Sequence, residues 1–345
     1  MICERIFMNI CDYGLTQSTE GLSGIPARVT AVHKERYEIV CDRGTTHARL
    51  KTSEYYAGNE AFPTTGDFVM IQYIPNGDSL ILHPLPRKTL FSRREPGSVP
   101  RDQAVAANFD YVFIMQSLNQ DFNPKRLERY LTLAYQSGAT PVILLTKADL
   151  VADTWDYEMQ VERVAMGATT HVVSARTGYG LARLNAYLQP GKTVVFLGSS
   201  GVGKSSLVNA LAGEEIMGVG GIREDDSKGR HTTTHRQLIR LQSGVMIIDT
   251  PGMRELGMWD VSEGIGEAFS DVEQYLGTCR FSDCRHEKEP GCAIRAAIER
   301  GELDMGRWQS YQKLKAEAVD KEEMLRRKNA WSKGVAKQIK QLKKK

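Results

Sequence analysis

No stretch of the sequence has the roughly 18 consecutive apolar residues that a membrane-spanning helix requires. The first residues also lack the apolar core of a secretory signal peptide, because Glu4 and Arg5 interrupt them. We therefore expect a cytoplasmic protein without a membrane contact. The chain has 345 residues, of which 41% are hydrophobic, and this is enough for two or three folded domains.

Acidic residues are absent from the last 20 positions, 326–345, which hold nine lysines or arginines. The net charge of the whole chain is only +3, so the basic character is local. One interpretation is a solvated tail. The other is a nucleic-acid contact, because lysine and arginine gain affinity by displacing counterions from phosphates. The tail alone does not decide between them.

The six cysteines fall into two groups. Three are scattered, and in a reducing compartment we expect them to be unpaired: Cys3, Cys11 and Cys41. The others form the pattern C-x4-C-x-H-x5-C with a histidine, at Cys279, Cys284, His286 and Cys292. Three thiolates and one imidazole make a closed tetrahedral set, which indicates a structural zinc ion rather than a catalytic one. A set of disulfides is the alternative.

Short β-rich segments recur between Ile25 and His83 and predict a small five-stranded barrel. The spacing suits an OB-fold or an SH3-like barrel. An OB barrel often binds single-stranded nucleic acid, but a β-domain without that role fits the segments as well. Residues Pro84–Arg101 contain four prolines and follow the barrel, so we expect a linker there.

Apolar strands alternate with helices from Asp110 onward. This pattern predicts a mostly parallel sheet with helices on both faces. Asn123 and Pro124 predict the cap and first turn of one of these helices. After about Ser262 the chain becomes mostly helical, and a long polar helix is expected from about Met305.

A phosphate-binding loop is predicted between the strand TVVFLG and the helix after it. Gly198, Gly203, Lys204 and Ser205 satisfy the pattern GxxxxGK[ST]. The glycines let backbone N–H groups surround the β-phosphate, Lys204 neutralises the β- and γ-phosphates, and the Ser205 hydroxyl ligates Mg²⁺.

A second phosphate element ends the strand GVMIID, about 45 residues later, at Asp249-Thr250-Pro251-Gly252. Asp249 can hold the Mg²⁺ through a water molecule, and Gly252 can donate its N–H to the γ-phosphate. The same four residues could be an ordinary turn, but their distance from the phosphate loop favours the nucleotide interpretation.

Two further segments predict which base is bound. Thr146–Asp149 (TKAD) follows one strand, and Ser174–Arg176 (SAR) ends the next. The Asp149 carboxylate can accept hydrogen bonds from the N1–H and 2-amino groups of guanine, a pair that adenine lacks. The Lys147 stem can lie across the ring, and the Ala175 N–H can reach the guanine O6. Each segment alone resembles an ordinary loop, but together with a phosphate loop they indicate guanine.

The order of these motifs is unusual. Here the base-reading segments come first, followed by the phosphate loop, a threonine run and DTPG. In Ras-like GTPases the base-reading loops come last. The chain is therefore a circular permutation, which is tolerated when the original termini lie close together at the surface.

The permuted motifs, the barrel before them and the Cys/His cluster after them resemble the RsgA (YjeQ/YloQ) family of circularly permuted GTPases that depend on the small ribosomal subunit. The resemblance runs from about residue 20 to about residue 320 and includes the string GRHTTT at Gly229–Thr234. It implies an OB barrel, a permuted GTPase domain and a C-terminal zinc domain. It also implies GTP hydrolysis coupled to late maturation of the small subunit.

The resemblance further implies two catalytic residues, His231 and Thr233. Thr233 would bind Mg²⁺ and the γ-phosphate. Ras-like enzymes use a glutamine after DxxG to orient the attacking water, but Met253 occupies that position here. His231 would orient the water instead; the alternative is that it packs in the fold or binds RNA phosphate.

The sequence thus predicts three domains: 1–90 with an N-terminal segment and OB barrel, 91–262 with the permuted GTPase, and 263–345 with the zinc site and a basic C-terminal helix. Expected ligands are GTP or GDP with Mg²⁺, held by Ser205 and Thr233, and one zinc ion. The nucleotide would be bound by Thr146, Lys147, Asp149, Ser174, Ala175, Gly198, Ser199, Ser200, Gly201, Val202, Gly203, Lys204, Ser205, Ser206, Asp249 and Gly252.

The expected partner is the small ribosomal subunit with its 16S rRNA, bound by a monomer. One alternative is an RNA-binding assembly factor that uses GTP as a structural or timing ligand with little turnover. Another is a P-loop ATPase, which Asp149 disfavours.

Overall fold

A computed structural model of the chain describes residues 8–33, 36–50, 62–94, 102–165, 167–218, 236–249 and 262–318. Within these ranges the chain forms a closed barrel, a second sheet flanked by helices, and a helical C-terminal part.

The barrel has five strands and confirms the expectation for the N-terminal part. They are β1 (Ile25–His33), β2 (Arg36–Cys41), β3 (Gly44–Leu50), β4 (Phe68–Gln72) and β5 (Ser79–Pro84). The strand order is β1-β2-β3-β5-β4, and β4 pairs with β1 to close the barrel. Only β3 and β5 run parallel, which is the arrangement of an OB-fold. Alternate side chains, among them Val29, Ile39 and Ile71, fill the interior.

The expected linker at 84–101 is wrong for part of its length. Leu90–Arg94 forms strand β6, which pairs antiparallel with β7 (Asp102–Ala107). The prolines lie on either side of Leu90–Arg94 and do not interrupt its pairing. Phe91 is buried and stacks on Phe109 with 4.7 Å between ring centroids, so the β6 strand is part of the packed structure.

The second sheet contains the predicted parallel strands. They are β8 (Tyr111–Ser117), β9 (Thr140–Thr146), β10 (Thr169–Val172), β11 (Thr193–Gly198), β12 (Gln237–Arg240) and β13 (Met246–Asp249). The order is β10-β9-β8-β11-β13-β12, and only β12 is antiparallel to its neighbour. Most neighbours in this sheet are consecutive in sequence, but β11 lies between β8 and β13, neither of which is next to it in the chain.

Helices cover both faces of this sheet. They are α1 (Pro124–Gln136), α2 (Trp155–Glu162) and α3 (Lys204–Ala212), with short 3-10 turns at Ala148–Leu150 and Leu181–Ala186. Phe113 and Met115 of β8 pack on the same side as Leu207 of α3. Ile114, between them, packs on the opposite side with Leu127 of α1. This alternation shows that both faces of the sheet are buried, which explains its nearly continuous apolar strands.

The C-terminal part is helical and packs on α1. Its helices are α4 (Ser262–Ala268), α5 (Ser270–Glu273), α6 (Ala293–Glu299) and α7, described over 305–318. A Cβ on Gly264 would lie 2.2 Å from the Thr132 carbonyl oxygen. Glycine is therefore required where α4 crosses α1. Among the described residues, no helix combines the length and apolarity needed to cross a membrane.

A buried arginine joins the barrel to the second sheet. Arg28 of β1 is 1% exposed and donates to the carbonyl oxygens of Gly66 at 3.2 Å, Tyr13 at 2.5 Å and Asn108 at 2.7 Å. Burial lowers the pKa of Arg28 to about 10, against the opposing effect of nearby carboxylates. It therefore keeps its charge at neutral pH. In the same region β1 pairs with β12, and this makes the two sheets continuous.

A second buried arginine joins the C-terminal helices to α1. Arg307 of α7 contacts Glu128 of α1 at 2.8 Å and Asp271 of α5 at 2.9 Å. Its guanidinium carbon lies 3.9 Å from the centre of the Phe269 ring. Burial acts to lower the pKa of Arg307, but its two acidic partners outweigh this and raise it. The side chains of Arg307 and Glu128 are each less than 5% exposed.

We expect Arg307→Met to lower the free energy of unfolding by about 3–5 kcal/mol, because it leaves buried carboxylates without a partner. Urea unfolding monitored by circular dichroism would measure this. Arg300→Met is the matched control, since the Arg300–Glu302 ion pair is solvent-exposed and should contribute little. Equal losses in the two variants would contradict the structural role given to Arg307.

Candidate functional site

The predicted phosphate loop connects the end of β11 to the start of α3 and lies at the carboxyl edge of the sheet. Gly203 immediately precedes α3 with φ +105°, a conformation that glycine adopts at little cost. A Cβ on Gly198 would lie 3.0 Å from Val202 Cγ1 and 3.1 Å from the Met115 carbonyl oxygen. The backbone conformation thus favours glycine at position 203, and a side chain at position 198 would crowd Val202 and Met115, before any ligand is considered.

The two phosphate elements meet in the structure. Lys204 Nζ lies 2.5 Å from Asp249 Oδ1, across 45 positions of sequence. Parallel pairing of β11 with β13 brings them together. A cation and a carboxylate thus lie together at the start of α3, and Ser205 is the next residue of this helix. Exposed N–H groups at a helix start favour a bound anion.

The two predicted base-reading segments also come together. Ser174 Oγ donates to Asp149 Oδ1 at 2.6 Å, and the Thr177 N–H donates to Ser174 Oγ at 3.2 Å. The Ser174 hydrogen bond lowers the pKa of Asp149, aided by the positive charges of Arg176 and Lys147. Asp149 is therefore ionised at neutral pH, and its remaining lone pairs can accept two N–H groups from a base edge.

A cavity of about 200 Å³ lies beside Asp149. Most of its lining was predicted from the sequence, namely Thr146, Lys147, Asp149, Ala175, Gly203 and Ser206. Arg176, the last residue of the SAR segment, also lines it, and the sequence did not single out the other lining residues, which are Leu150, Val173 and Leu207. The cavity therefore extends from the base-reading segments to the start of α3.

Thr146 connects the base-reading side to the phosphate loop. It is 4% exposed, and its hydroxyl donates to the Val202 carbonyl oxygen at 2.7 Å. Lys147, the next residue, has φ +60°. A non-glycine residue in this region is uncommon, and the turn directs the chain away from β9 into the segment that carries Asp149.

Asp121 also contacts the phosphate loop, and the sequence did not point to it. Its carboxylate accepts a hydrogen bond from the Ser199 hydroxyl. Asp121 follows the carboxyl end of β8, which neighbours β11 in the sheet, and ligand-binding residues gather at this edge of α/β sheets. The position of Asp121 just after a predicted parallel strand could therefore have indicated it from the sequence. His231, Thr233, Gly252 and Met253 lie outside the described residues.

The Cys/His cluster is assembled as predicted. One potential ligand atom from each of Cys279, Cys284, His286 and Cys292 lies within 4.8 Å of the others. His286 Nδ1 is 3.5 Å from the sulfurs of Cys279 and Cys292. Zinc bonded tetrahedrally to sulfur and nitrogen at its usual distances would separate these atoms by about 3.5 Å. The three cysteines are free thiols, so the donor set fits zinc rather than disulfides.

Backbone groups support this cluster. The Ala293 N–H at the start of α6 donates to Cys279 Sγ at 3.3 Å. Burial acts to raise the pKa of Cys279, but this hydrogen bond and the neighbouring thiols outweigh it and lower the pKa. His286 packs edge-on against Trp308 of α7, with 5.5 Å between ring centroids. The cluster therefore joins its own loop to α6 and α7.

The family model for the RsgA GTPase matches residues 84–259 of the chain. A protein of Listeria monocytogenes named small ribosomal subunit biogenesis GTPase RsgA 1 is 49% identical over 291 residues, covering 84% of this chain and 82% of that protein. The chain belongs to the RsgA GTPase family. RsgA 2 of Lactiplantibacillus plantarum, which has the same functional name, is 43% identical over 90% of this chain and 89% of its own length.

Solved structures of RsgA relatives agree with the fold. YjeQ from Thermotoga maritima aligns with 86% of this chain and 98% of its own, with a TM-score of 0.64 at 25% identity. YloQ, described as a circularly permuted GTPase, has a TM-score of 0.62 at 26% identity and covers 88% of this chain. An ABC transporter model also matches residues 181–339, a range that contains the phosphate loop.

We expect one metal ion per chain in the purified wild-type protein and a marked loss of bound metal in Cys284→Ser, because three ligands hold zinc less tightly than four. Elemental analysis by mass spectrometry would give the stoichiometry. Cys11→Ser is the matched control, since Cys11 is exposed and outside the cluster. Wild-type protein that remains metal-free after incubation with zinc would contradict the assignment.

Proposed function

We propose that this protein binds the small ribosomal subunit and hydrolyses GTP to GDP and phosphate there, and that hydrolysis couples late maturation of the subunit to its own release. The observation that supports this most is the contact of Asp149 with Ser174 in a cavity that continues to the start of α3. A base reader and a phosphate binder thus share one site. The small ribosomal subunit enters the proposal from the names of the relatives.

Guanine is favoured over adenine by hydrogen-bond chemistry. An ionised Asp149 accepts the paired N–H donors of guanine, whereas adenine would turn a ring nitrogen acceptor toward the carboxylate. An acceptor facing a desolvated carboxylate costs binding free energy. This argues against an ATPase, although an ABC transporter model matches part of the chain.

Binding of Mg²⁺ with GTP requires Lys204 and Asp249 to separate. Lys204 would move to the β- and γ-phosphates, and Asp249 would hold Mg²⁺ through water. Ser205 and Thr233 would be the direct Mg²⁺ ligands, and Gly252 would donate to the γ-phosphate. The remaining nucleotide contacts are proposed for the loop backbone and side chains from Gly198 to Ser206.

Water activation is proposed for His231, which the resemblance to the RsgA family indicates. Met253 stands where Ras-like enzymes have a glutamine and cannot orient water. The same methionine favours a second function, an RNA-binding assembly factor in which GTP is a timing ligand with little turnover. The two functions differ in whether the subunit accelerates hydrolysis.

We propose a cytoplasmic monomer in which the OB barrel (within 1–90) and the zinc-bearing end (263–345) contact 16S rRNA. The basic positions 326–345 would add phosphate contacts. The GTPase domain, 91–262, would signal to this end through the segment after Asp249, which leads directly into it.

The test is the rate of GTP and ATP hydrolysis with and without small ribosomal subunits. We expect slow GTP hydrolysis by the protein alone, a marked increase with subunits, and little ATP hydrolysis under either condition. His231→Ala should reduce the stimulated rate while leaving GTP affinity unchanged. Equal rates with and without subunits would refute the coupled enzyme.

Subunit affinity in the GTP- and GDP-bound states completes this test. If hydrolysis drives release, the two states must bind the subunit with different affinities. Slow, unstimulated hydrolysis combined with nucleotide-dependent subunit binding would instead favour the timing-ligand function. Equal affinities would remove the proposed release step.

A further inference from the structure

The segment from the last residue of β8 to the residue before α1, here called the 117–123 loop, lies against both halves of the candidate nucleotide site. The Leu118 N–H donates to the Thr146 carbonyl oxygen at 2.9 Å, where β9 enters the base-reading segment. At its other end, Asp121 accepts from the Ser199 hydroxyl in the phosphate loop. The loop therefore bridges two segments that are more than 50 positions apart in sequence.

Internal hydrogen bonds hold the 117–123 loop in place. Asn119 Oδ1 accepts from the Ser117 hydroxyl at 2.8 Å and from the Asp121 N–H at 3.0 Å. The Phe122 ring packs edge-on against Tyr157 of α2, with 5.0 Å between centroids. These contacts hold the backbone at Asp121 in place, and this backbone directs the Asp121 side chain toward the phosphate loop.

Asp121 is also held in its charged form. Arg126 Nη2 lies 3.0 Å from Asp121 Oδ1 and also donates to the Asp121 carbonyl oxygen. Burial acts to raise the pKa of Asp121, but Ser199 and Arg126 outweigh it and lower the pKa, with a contribution from Lys147. A charged acceptor makes the hydrogen bond from Ser199 stronger than one to a neutral group.

The phosphate loop is consequently anchored at two points. Thr146 holds the Val202 carbonyl oxygen, and Asp121 holds the Ser199 side chain. Ser200 and Gly201, between these anchors, are exposed. An anchored loop needs little further ordering when it closes around a phosphate, and preorganisation of this kind increases affinity.

We propose that Asp121 is a positioning residue of the nucleotide site, which fixes the phosphate loop through Ser199 and so slows release of the bound nucleotide. This rests on the proposed function, because it assumes that GDP and GTP bind there. Asp121 acts on the phosphates through the loop and does not contact the base. Its removal should therefore weaken GDP binding and leave guanosine binding unchanged.

The test is the dissociation rate of fluorescently labelled GDP from the full-length protein in a double-mutant cycle. Asp121→Ala and Ser199→Ala should each speed GDP release about tenfold, the scale of one hydrogen bond to a charged group. The double variant should release GDP no faster than Ser199→Ala alone, because Asp121 has no Ser199 hydroxyl to hold once position 199 is alanine. Asp121→Asn keeps an acceptor without the charge and should give a smaller effect.

Two controls separate positioning from general damage. Asp156→Ala removes the same charge from the exposed surface of α2 and should release GDP at the wild-type rate. Guanosine affinity, measured by competition, should be equal in wild type and Asp121→Ala. A wild-type rate in Asp121→Ala, rate effects that multiply in the double variant, or a parallel loss of guanosine affinity would overturn the inference. Wild-type protein that binds no GDP would instead overturn the proposed function.

Discussion

Parallel pairing of β11 with β8 on one side and β13 on the other determines where the whole site lies. Carboxyl ends of parallel strands meet at one edge of a sheet, whatever the order in which the chain forms them. The phosphate loop, Asp249 and the base-reading segments each lie at such an end. Circular permutation can therefore move the chain termini without moving the site, since strand direction and neighbourhood are unchanged.

Permutation has a further structural consequence. The base-reading segments precede the phosphate loop in the sequence, and Asp249 follows it. In sequence, the segment after Asp249 leads into the C-terminal helices, and these helices pack on α1, which begins directly after the 117–123 loop. The C-terminal part is thus connected to the nucleotide site in two ways. One is the chain after Asp249, and the other is the ion pair between Arg307 and Glu128 of α1.

Buried arginines connect the three parts of the molecule. Arg28 donates hydrogen bonds to carbonyl oxygens of the N-terminal segment, the barrel and the residues before the second sheet. Arg307 instead donates to carboxylates of α1 and α5. A planar guanidinium with five donors suits such convergent sites, where a lysine could satisfy fewer acceptors. Each arginine fixes the relative positions of the segments that it contacts, and burying its charged guanidinium costs desolvation free energy.

The sequence predicted the elements whose chemistry is local. A phosphate loop, a tetrapeptide at a strand end and a Cys/His pattern each depend on residues close together in the chain, and apolar runs indicated the parallel sheet. It did not predict the β6 strand, because flanking prolines masked its apolar pair, Leu90 and Phe91. Nor did it predict Asp121, Arg28 or Arg307, whose roles depend on distant segments that only the fold brings to them.

Asp149 and Ser174 are proposed to form a guanine reader joined to the phosphate loop. Equilibrium binding of GTP, ITP and ATP to the wild-type protein tests it most directly, because the three differ at the base edge that faces Asp149. ITP lacks the 2-amino donor and should bind about tenfold more weakly than GTP, the scale of one hydrogen bond to a charged group. ATP lacks both donors and should bind more weakly still. ATP binding as tight as that of GTP would show that Asp149 does not select guanine.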